Sequence, residues 1–155
     1  MDTSLTEWRW QTFAQLNGAE VYAILALRQQ VFVLEQQCLY ADIDHKDQQC
    51  YHLCGWLDGS LRGYLRVVPP GRAYAEVALG RILTAESVRG SGLGKQLISR
   101  ALDEVSLLYP GQSVRISAQL YLQRFYAGFG FQTVSEPYDE DGIPHIEMLL
   151  RSPGV

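Results

Sequence analysis

SVRGSGLGKQL, residues 87–97, places glycines at positions 90, 92 and 94, with Arg89 before them and Lys95 after. An apolar helical stripe begins inside the same stretch: Leu93, Leu97, Ile98, Ala101, Leu102 and Val105, with Gln96, Arg100, Asp103 and Glu104 opposite. Bare backbone at the mouth of a helix suits a phosphate. The first N–H groups of a helix lack partners within it, and its dipole favours an anion there. Two familiar phosphate loops fail on these residues. A P-loop needs GxxxxGK followed by Ser or Thr, but its first glycine would fall on Arg89 and its hydroxyl on Gln96. The dinucleotide fingerprint GxGxxG, started at Gly90, requires glycine where Lys95 stands.

The rest of the chain sets the frame. Its 155 residues are the length of one ordinary domain, and 47% apolar with 19% charged residues describes a globular protein. No stretch is apolar enough to span a membrane, and the start MDTSLTEWRWQTF lacks the basic head and apolar run of a signal peptide. A cytoplasmic protein is therefore expected. The net charge of −4 argues against a nucleic-acid partner. Cys38, Cys50 and Cys54 make an odd count without a CxxC pair, so no disulfide framework is expected. Cys50, His52 and Cys54 alternate in a strand-like run without a second ligand pair of zinc spacing, so they read as buried strand residues and no metal is expected.

Pattern and punctuation predict the elements. Residues 5–13 alternate with aromatics, as an edge strand does, and residues 19–34 carry Ile24, Leu25, Arg28, Val31 and Phe32 at helical spacing after Asn17-Gly18. An acid-rich loop covers 39–49. Strands at 50–57 and 61–68 flank the hairpin turn Asp58-Gly59-Ser60, and a strand over 74–83 runs into the glycine loop. Pro110-Gly111 stops the long helix. A strand at 114–118, a helix at 120–128 and strands at 131–135 and 144–150 complete the chain. This order predicts an α/β fold, a mixed sheet with helices on both faces, as one domain over 1–155.

Arg89-Gly90-Ser91-Gly92-Leu93-Gly94, between a strand and an amphipathic helix, resembles the pyrophosphate loop of the GNAT superfamily of acetyl-CoA-dependent N-acetyltransferases. AQLYLQRFYAGFGF, residues 118–131, matches that family's closing helix as Phe125-Tyr126 followed by Gly130-Phe131. LRQQVFVLEQ (27–36), YADIDHKDQQCYHL (40–53), GRILTAESVRG (80–90) and DGIPHIEM (141–148) are similar to the ElaA-like branch of the superfamily.

The resemblance implies the acyl-CoA N-acyltransferase fold, with a central sheet whose strands at 74–83 and 114–118 splay apart. Acetyl-CoA would lie in the splay, its pantetheine arm along Ile82, Leu83 and Thr84. Its pyrophosphate would meet the amides of Gly90, Ser91, Gly92, Leu93, Gly94 and Lys95, assisted by Arg89. Gln119 stands where many relatives carry asparagine and keeps an amide for the same contact. Tyr126 is the expected acid for the departing thiolate, and a backbone N–H near Ile82 the expected oxyanion donor. Two residues are expected as the general base. Glu76 alternates onto the face of Ala78, Gly80 and Ile82, though it reads equally as an exposed residue at a strand start. His145 is the rival, because histidine is the side chain whose intrinsic pKa lies close to working pH, though a satisfied histidine in the last strand is the preferred reading. A water chain from either is the third option.

Acidic runs at 42–47 and 139–141 stand apart from Arg81, Arg89, Lys95 and Arg100, which are expected around the glycine loop. That asymmetry predicts a cationic primary amine as acceptor, on a small molecule or a protein. The remaining partner expected is a second copy of the chain, with neither nucleic acid nor membrane. The competing expectation is a non-catalytic acyl-CoA-binding or sensor module, against which the tyrosine at 126 speaks.

Overall fold

Asn17 starts the first helix through its side chain. Its Oδ1 accepts from the Glu20 amide at 2.8 Å, and Glu20 Oε1 accepts from the Asn17 amide at 2.9 Å, a reciprocal cap. Helix α1, Gly18–Arg28, then loosens into a π-helical segment, Gln29–Glu35. Hydrophobic spacing reads 19–34 as one regular helix, whereas the wider turns change which side chains face the sheet beyond Arg28. The structure, a computed structural model, describes residues 2–152; Met1 and residues 153–155 of the expected domain lie outside the described residues.

Among the described residues, eight strands form one sheet: β1 Glu7–Thr12, β2 Tyr51–Leu57, β3 Ser60–Val68, β4 Val77–Thr84, β5 Val114–Gln119, β6 Gln132–Thr133, β7 Tyr138–Glu140 and β8 Ile143–Leu150. Their order is β1-β2-β3-β4-β5-β8-β6, with β7 also paired to β8. Among the described residues, only β4 and β5 pair in parallel. Asp58 and Gly59, with φ of 51° and 76°, make the turn between β2 and β3, the primed geometry that the twist of a hairpin favours. β4 starts later than the pattern predicts, and the strand expected at 131–135 shrinks to β6. β7 was not expected at all. Its acidic YDE has no strand pattern and pairs only because Asp141-Gly142 folds it back on β8.

Helices α2, Leu93–Leu108, and α3, Gln123–Ala127, cover one face. There Leu97, Ile98, Ala101 and Val105 of α2 pack with Leu79, Ile116, Met148 and Tyr126. Helix α1 covers the other face only over the middle strands, where Ile24 and Val31 meet Cys54, Tyr64 and Leu83. The same face of β5 and β8 carries Arg115, Ser117, Gln119, His145 and Glu147, polar residues alternating with the core positions Ile116, Ala118, Ile146 and Met148.

Between α1 and the sheet lies a buried ionic lattice. Arg28, fully buried, donates from Nε to Asp42 at 2.8 Å and from Nη1 to Asp47 at 2.7 Å. Arg66 on β3 holds Asp47 at 2.8 Å and Asp44 at 2.5 Å. Arg81 on β4 lies 2.8 Å from Asp42 and 3.4 Å from Asp44. His52 closes the group: the Tyr64 hydroxyl lies 2.7 Å from its Nδ1, and its Nε2 lies 2.9 Å from the Asp47 carbonyl. A carbonyl only accepts, so Nε2 carries the hydrogen and Nδ1 receives the Tyr64 proton. The acids expected at 42–47 to attract an amine are thus neutralised inside the molecule, and Arg81 belongs with them instead of with the glycine loop. Arg100 also leaves that loop, its guanidinium lying 5.1 Å from the centre of the Trp8 ring.

β4 carries one residue too many for its neighbour. Pairing with β3 shifts between Tyr64 and Arg66, and Arg81 sits there at φ 51°. Gly80 and Arg81 consequently face the same side, while Ile82 turns to the α2 side and Leu83 returns to α1. The simple alternation that puts Glu76, Gly80 and Ile82 on one face therefore breaks at the bulge.

Removing one member of a buried ion pair strands its partners, at a cost of about 3–5 kcal/mol. Arg28→Met is expected to lower unfolding free energy by about that amount in urea titrations. Burial raises the carboxyls of Asp44 and Asp47, but Arg66 and Arg28 outweigh it and hold both below the usual range. Depressed carboxylates contribute stability above the unfolded-state pKa of about 3.9 and lose it as pH falls. Asp44→Asn is expected to melt below wild type at neutral pH, with the gap closing under acid conditions in parallel thermal scans.

Candidate functional site

β4 and β5 pair only at Val77↔Val114 and Ala78↔Arg115. Beyond those residues β4 stays with β3 through Thr84↔Gly63, and β5 stays with β8 through Gln119↔His145. The two strands therefore part, leaving two facing edges without a strand between them. Bulges bend a strand and raise its twist, and the β4 bulge lies just past the last shared pair.

At the open end stands the glycine loop. Gly90 and Gly92 adopt φ of 81° and 92°, left-handed geometry that a side chain rarely tolerates. A Cβ on either would meet nothing within 4 Å, so the demand is for backbone shape. Among the described residues, the amides of Gly90, Gly92, Gly94 and Lys95 have no hydrogen-bond partner, and Leu93 N reaches only the Ser91 hydroxyl, at 3.4 Å. Gly92 caps α2 without a side-chain cap. The loop thus presents a row of unsatisfied donors at the positive end of a helix of 16 residues. That donor set fits a pyrophosphate.

Arg89 is less free than the sequence implies. Its guanidinium donates to the Thr84 carbonyl at 3.0 Å and to Glu35 at 2.7 Å. Lys95 is exposed in the first turn of α2. Ile82, Leu83 and Thr84 end β4 along the splay, with Leu83 buried and the other two partly so. Gln119 closes the β5 side, where its amide and that of Gln36 exchange hydrogen bonds at 3.2 and 3.4 Å. The π-helical segment thus delivers Glu35 to one wall of the splay and Gln36 to the other. The sequence offers Glu35 only as one more acid standing apart from the basic loop, and Gln36 only as a polar residue at a helix end.

Tyr126 is carried by α3, wedged edge-on against Phe125 and Phe131 at 5.2 and 6.1 Å between ring centres. Phe125 in turn comes within 3.8 Å of where a Cβ on Gly94 would stand, which ties α3 to the glycine loop. Burial pushes the Tyr126 phenol up, so it stays protonated at working pH.

The two expected bases are engaged elsewhere. Glu76 precedes β4 at its joined end, and both its oxygens accept from Arg115, at 3.0 and 3.1 Å. That pairing holds its carboxyl below the ordinary range, making it a weaker base. His145 donates from Nδ1 to the Ile143 carbonyl at 2.7 Å, and its Nε2 lies 3.2 Å from Glu140. Its ring stacks on Tyr138, whose hydroxyl meets Ser117. Period-two polarity at 115, 117 and 119 was the available signal for this face; the pairings across it come from distant strands.

Comparisons with known proteins identify the family and the fold. The family described as "Acetyltransferase (GNAT) domain" matches residues 16–152. A UPF0039 protein of Synechocystis is 44% identical over 94% of this chain and 96% of its own. Protein ElaA of Escherichia coli is 40% identical over 93% of this chain and 95% of its own, and its crystal structure superposes with a TM-score of 0.89 over 94% of this chain and 99% of that one. The crystal structure of an acyl-CoA N-acyltransferase from Pseudomonas aeruginosa, 42% identical, also gives 0.89, over 93% of this chain and 98% of that one. The chain therefore belongs to the GNAT acetyltransferase family, with ElaA among its relatives.

Proposed function

We propose that the chain transfers an acetyl group from acetyl-CoA to a primary amine by direct attack. The observation that carries this reading is the row of unpartnered amides at Gly90, Gly92, Gly94 and Lys95, set at the mouth of a gap between two unpaired strand edges. Acetyl-CoA supplies the activated thioester. The chain's own groups do the rest. The loop amides hold the pyrophosphate, and the free edge of β4 receives the pantetheine amides as an added strand would.

The amine lone pair forms the N–C bond, the C–S bond breaks, and the sulfur leaves as a thiolate. Tyr126 donates its proton to that sulfur and regains one from solvent. A phenol raised by burial yields its proton reluctantly, so its contribution belongs at the lower end of general acid catalysis, about a hundredfold. The proton lost by the amine returns to solvent through water, because the carboxylate of Glu76 is taken by Arg115 and both ring nitrogens of His145 face acceptors. For the acceptor, a cationic amine remains the proposal. The polar face of β5 and β8 and the exposed acids Asp139, Glu140 and Asp141 support it, in place of the internally paired acids at 42–47.

Incubating the protein with acetyl-CoA and a panel of polyamines, amino sugars and lysine peptides, while following free thiol, tests the reading. Amine-dependent thiol release is the expected result; tight binding of acetyl-CoA without turnover on any amine would favour the sensor module.

Two substitutions separate the roles. Gly92→Val imposes a β-branched residue at φ 92° and is expected to weaken CoA binding by about tenfold or more in calorimetry. Tyr126→Phe is expected to leave acetyl-CoA affinity near wild type and to lower kcat by about a hundredfold. An unchanged kcat with chemistry rate-limiting would return Tyr126 to core packing.

A further inference from the structure

Arg81 is a non-glycine residue held at φ 51° in the middle of a strand, and it borders the point where β4 and β5 part. Left-handed geometry is unfavourable for a side chain with a Cβ, so something must hold it. Three contacts do. Nε lies 2.8 Å from Asp42 Oδ1, Nη2 donates to the Asp42 carbonyl at 2.9 Å, and Nη2 reaches Asp44 Oδ2 at 3.4 Å. The Tyr40 ring lies 5.5 Å from the guanidinium carbon, and the Tyr40 hydroxyl is bonded to the same Asp42 at 2.8 Å. Asp42 is itself fixed by Arg28 of α1. The bulge is therefore anchored from outside the sheet, by a loop that no strand pairing would require.

The anchored backbone has a second consequence. Because Gly80 and Arg81 share a face, the alternation of β4 is shifted for Ile82, Leu83 and Thr84, the residues along the free edge. An oxyanion donor works only when it is aimed beforehand at the developing charge. On the acyl-transfer reading proposed above, we infer that Arg81 is a positioning residue: its ion pairs with Asp42 and Asp44 lock the β4 bulge, and the locked bulge aims a backbone amide beside Ile82 at the thioester oxygen. The acids of the 42–47 loop then serve the reaction from behind the strand instead of by attracting the amine.

Arg81→Gly tests this, because glycine accepts φ 51° without strain while losing every side-chain anchor. The readout is the infrared carbonyl stretch of acetyl-CoA isotopically labelled at the acetyl carbonyl, recorded on the bound complex, with acetyl-CoA affinity and melting temperature measured alongside. Wild type is expected to lower the stretch relative to free acetyl-CoA. In Arg81→Gly the stretch is expected to return towards the free value, while affinity stays within about threefold and kcat on the best amine of the panel falls by about tenfold or more. Arg81→Lys keeps the charge and the strained backbone but cannot make all the contacts, and its stretch is expected to lie between the two. A wild-type stretch and kcat in either variant that still binds acetyl-CoA would overturn the proposal, showing that pairing with β3 alone holds the bulge. Failure of wild type to bind acetyl-CoA would instead overturn the acyl-transfer reading itself.

Discussion

The ion pairs among Arg28, Arg66, Arg81, Asp42, Asp44 and Asp47 join parts of the chain that no backbone ladder connects. Arg28 ends a helix, Arg66 and Arg81 belong to adjacent strands, and the aspartates come from an otherwise irregular loop. Equal numbers of cations and anions leave the lattice neutral, and every charge has two partners. Such a group is costly to bury and more costly to break, so its value lies in geometry more than in net stability. It sets where α1 sits on the sheet, where the loop is drawn in, and where β4 bends.

From that bend follows the division of the molecule into a closed and an open end. Where β4 and β5 still pair, Glu76 and Arg115 lock across the joint. Where they part, each strand keeps its outer neighbour and exposes its inner edge. Helices α2 and α3 seal one side with apolar residues, and α1 stops short on the other side, where Tyr138 and Gln36 lie against the polar face of β5 and β8 instead. Glu35 and Gln36 then touch opposite walls of the opening through Arg89 and Gln119. Arg89 of the glycine loop is therefore partnered within the protein, and the donors that the loop leaves unpaired among the described residues are backbone amides. A point charge such as Lys95 adds attraction, whereas the oriented N–H groups add shape.

The charge pattern shows how far residue type can mislead without contacts. Five acids or bases that stand apart in the chain, Asp42, Asp44, Asp47, Arg81 and Arg100, look like two opposed fields. Four of them neutralise one another or join Arg28 and Arg66, and Arg100 rests against Trp8. Sequence separation carries no information about such pairing, because a loop charge and a strand charge meet only after the chain has folded.

Local rules decided much of this protein from the sequence alone. Gly90 and Gly92 permit the left-handed backbone of the loop, Asn17 caps its helix, and Asp58-Gly59 turns its hairpin. The apolar stripe from Leu93 to Val105 specifies which face of α2 is buried. These features need only a few neighbouring residues, so they were legible, and the loop and the Phe125-Tyr126 helix together carried the family. Only the tertiary structure decided the bulge at Arg81, the π-helical turns that bring Glu35 and Gln36 to the opening, and the engagement of Glu76 and His145 by Arg115, Ile143 and Glu140. The bulge is a register shift between strands, Glu35, Gln36 and Glu76 meet partners tens of residues away, and His145 meets Glu140 only once β7 folds back on β8; neither periodicity nor residue type encodes such pairings, which exist only when the segments share one space.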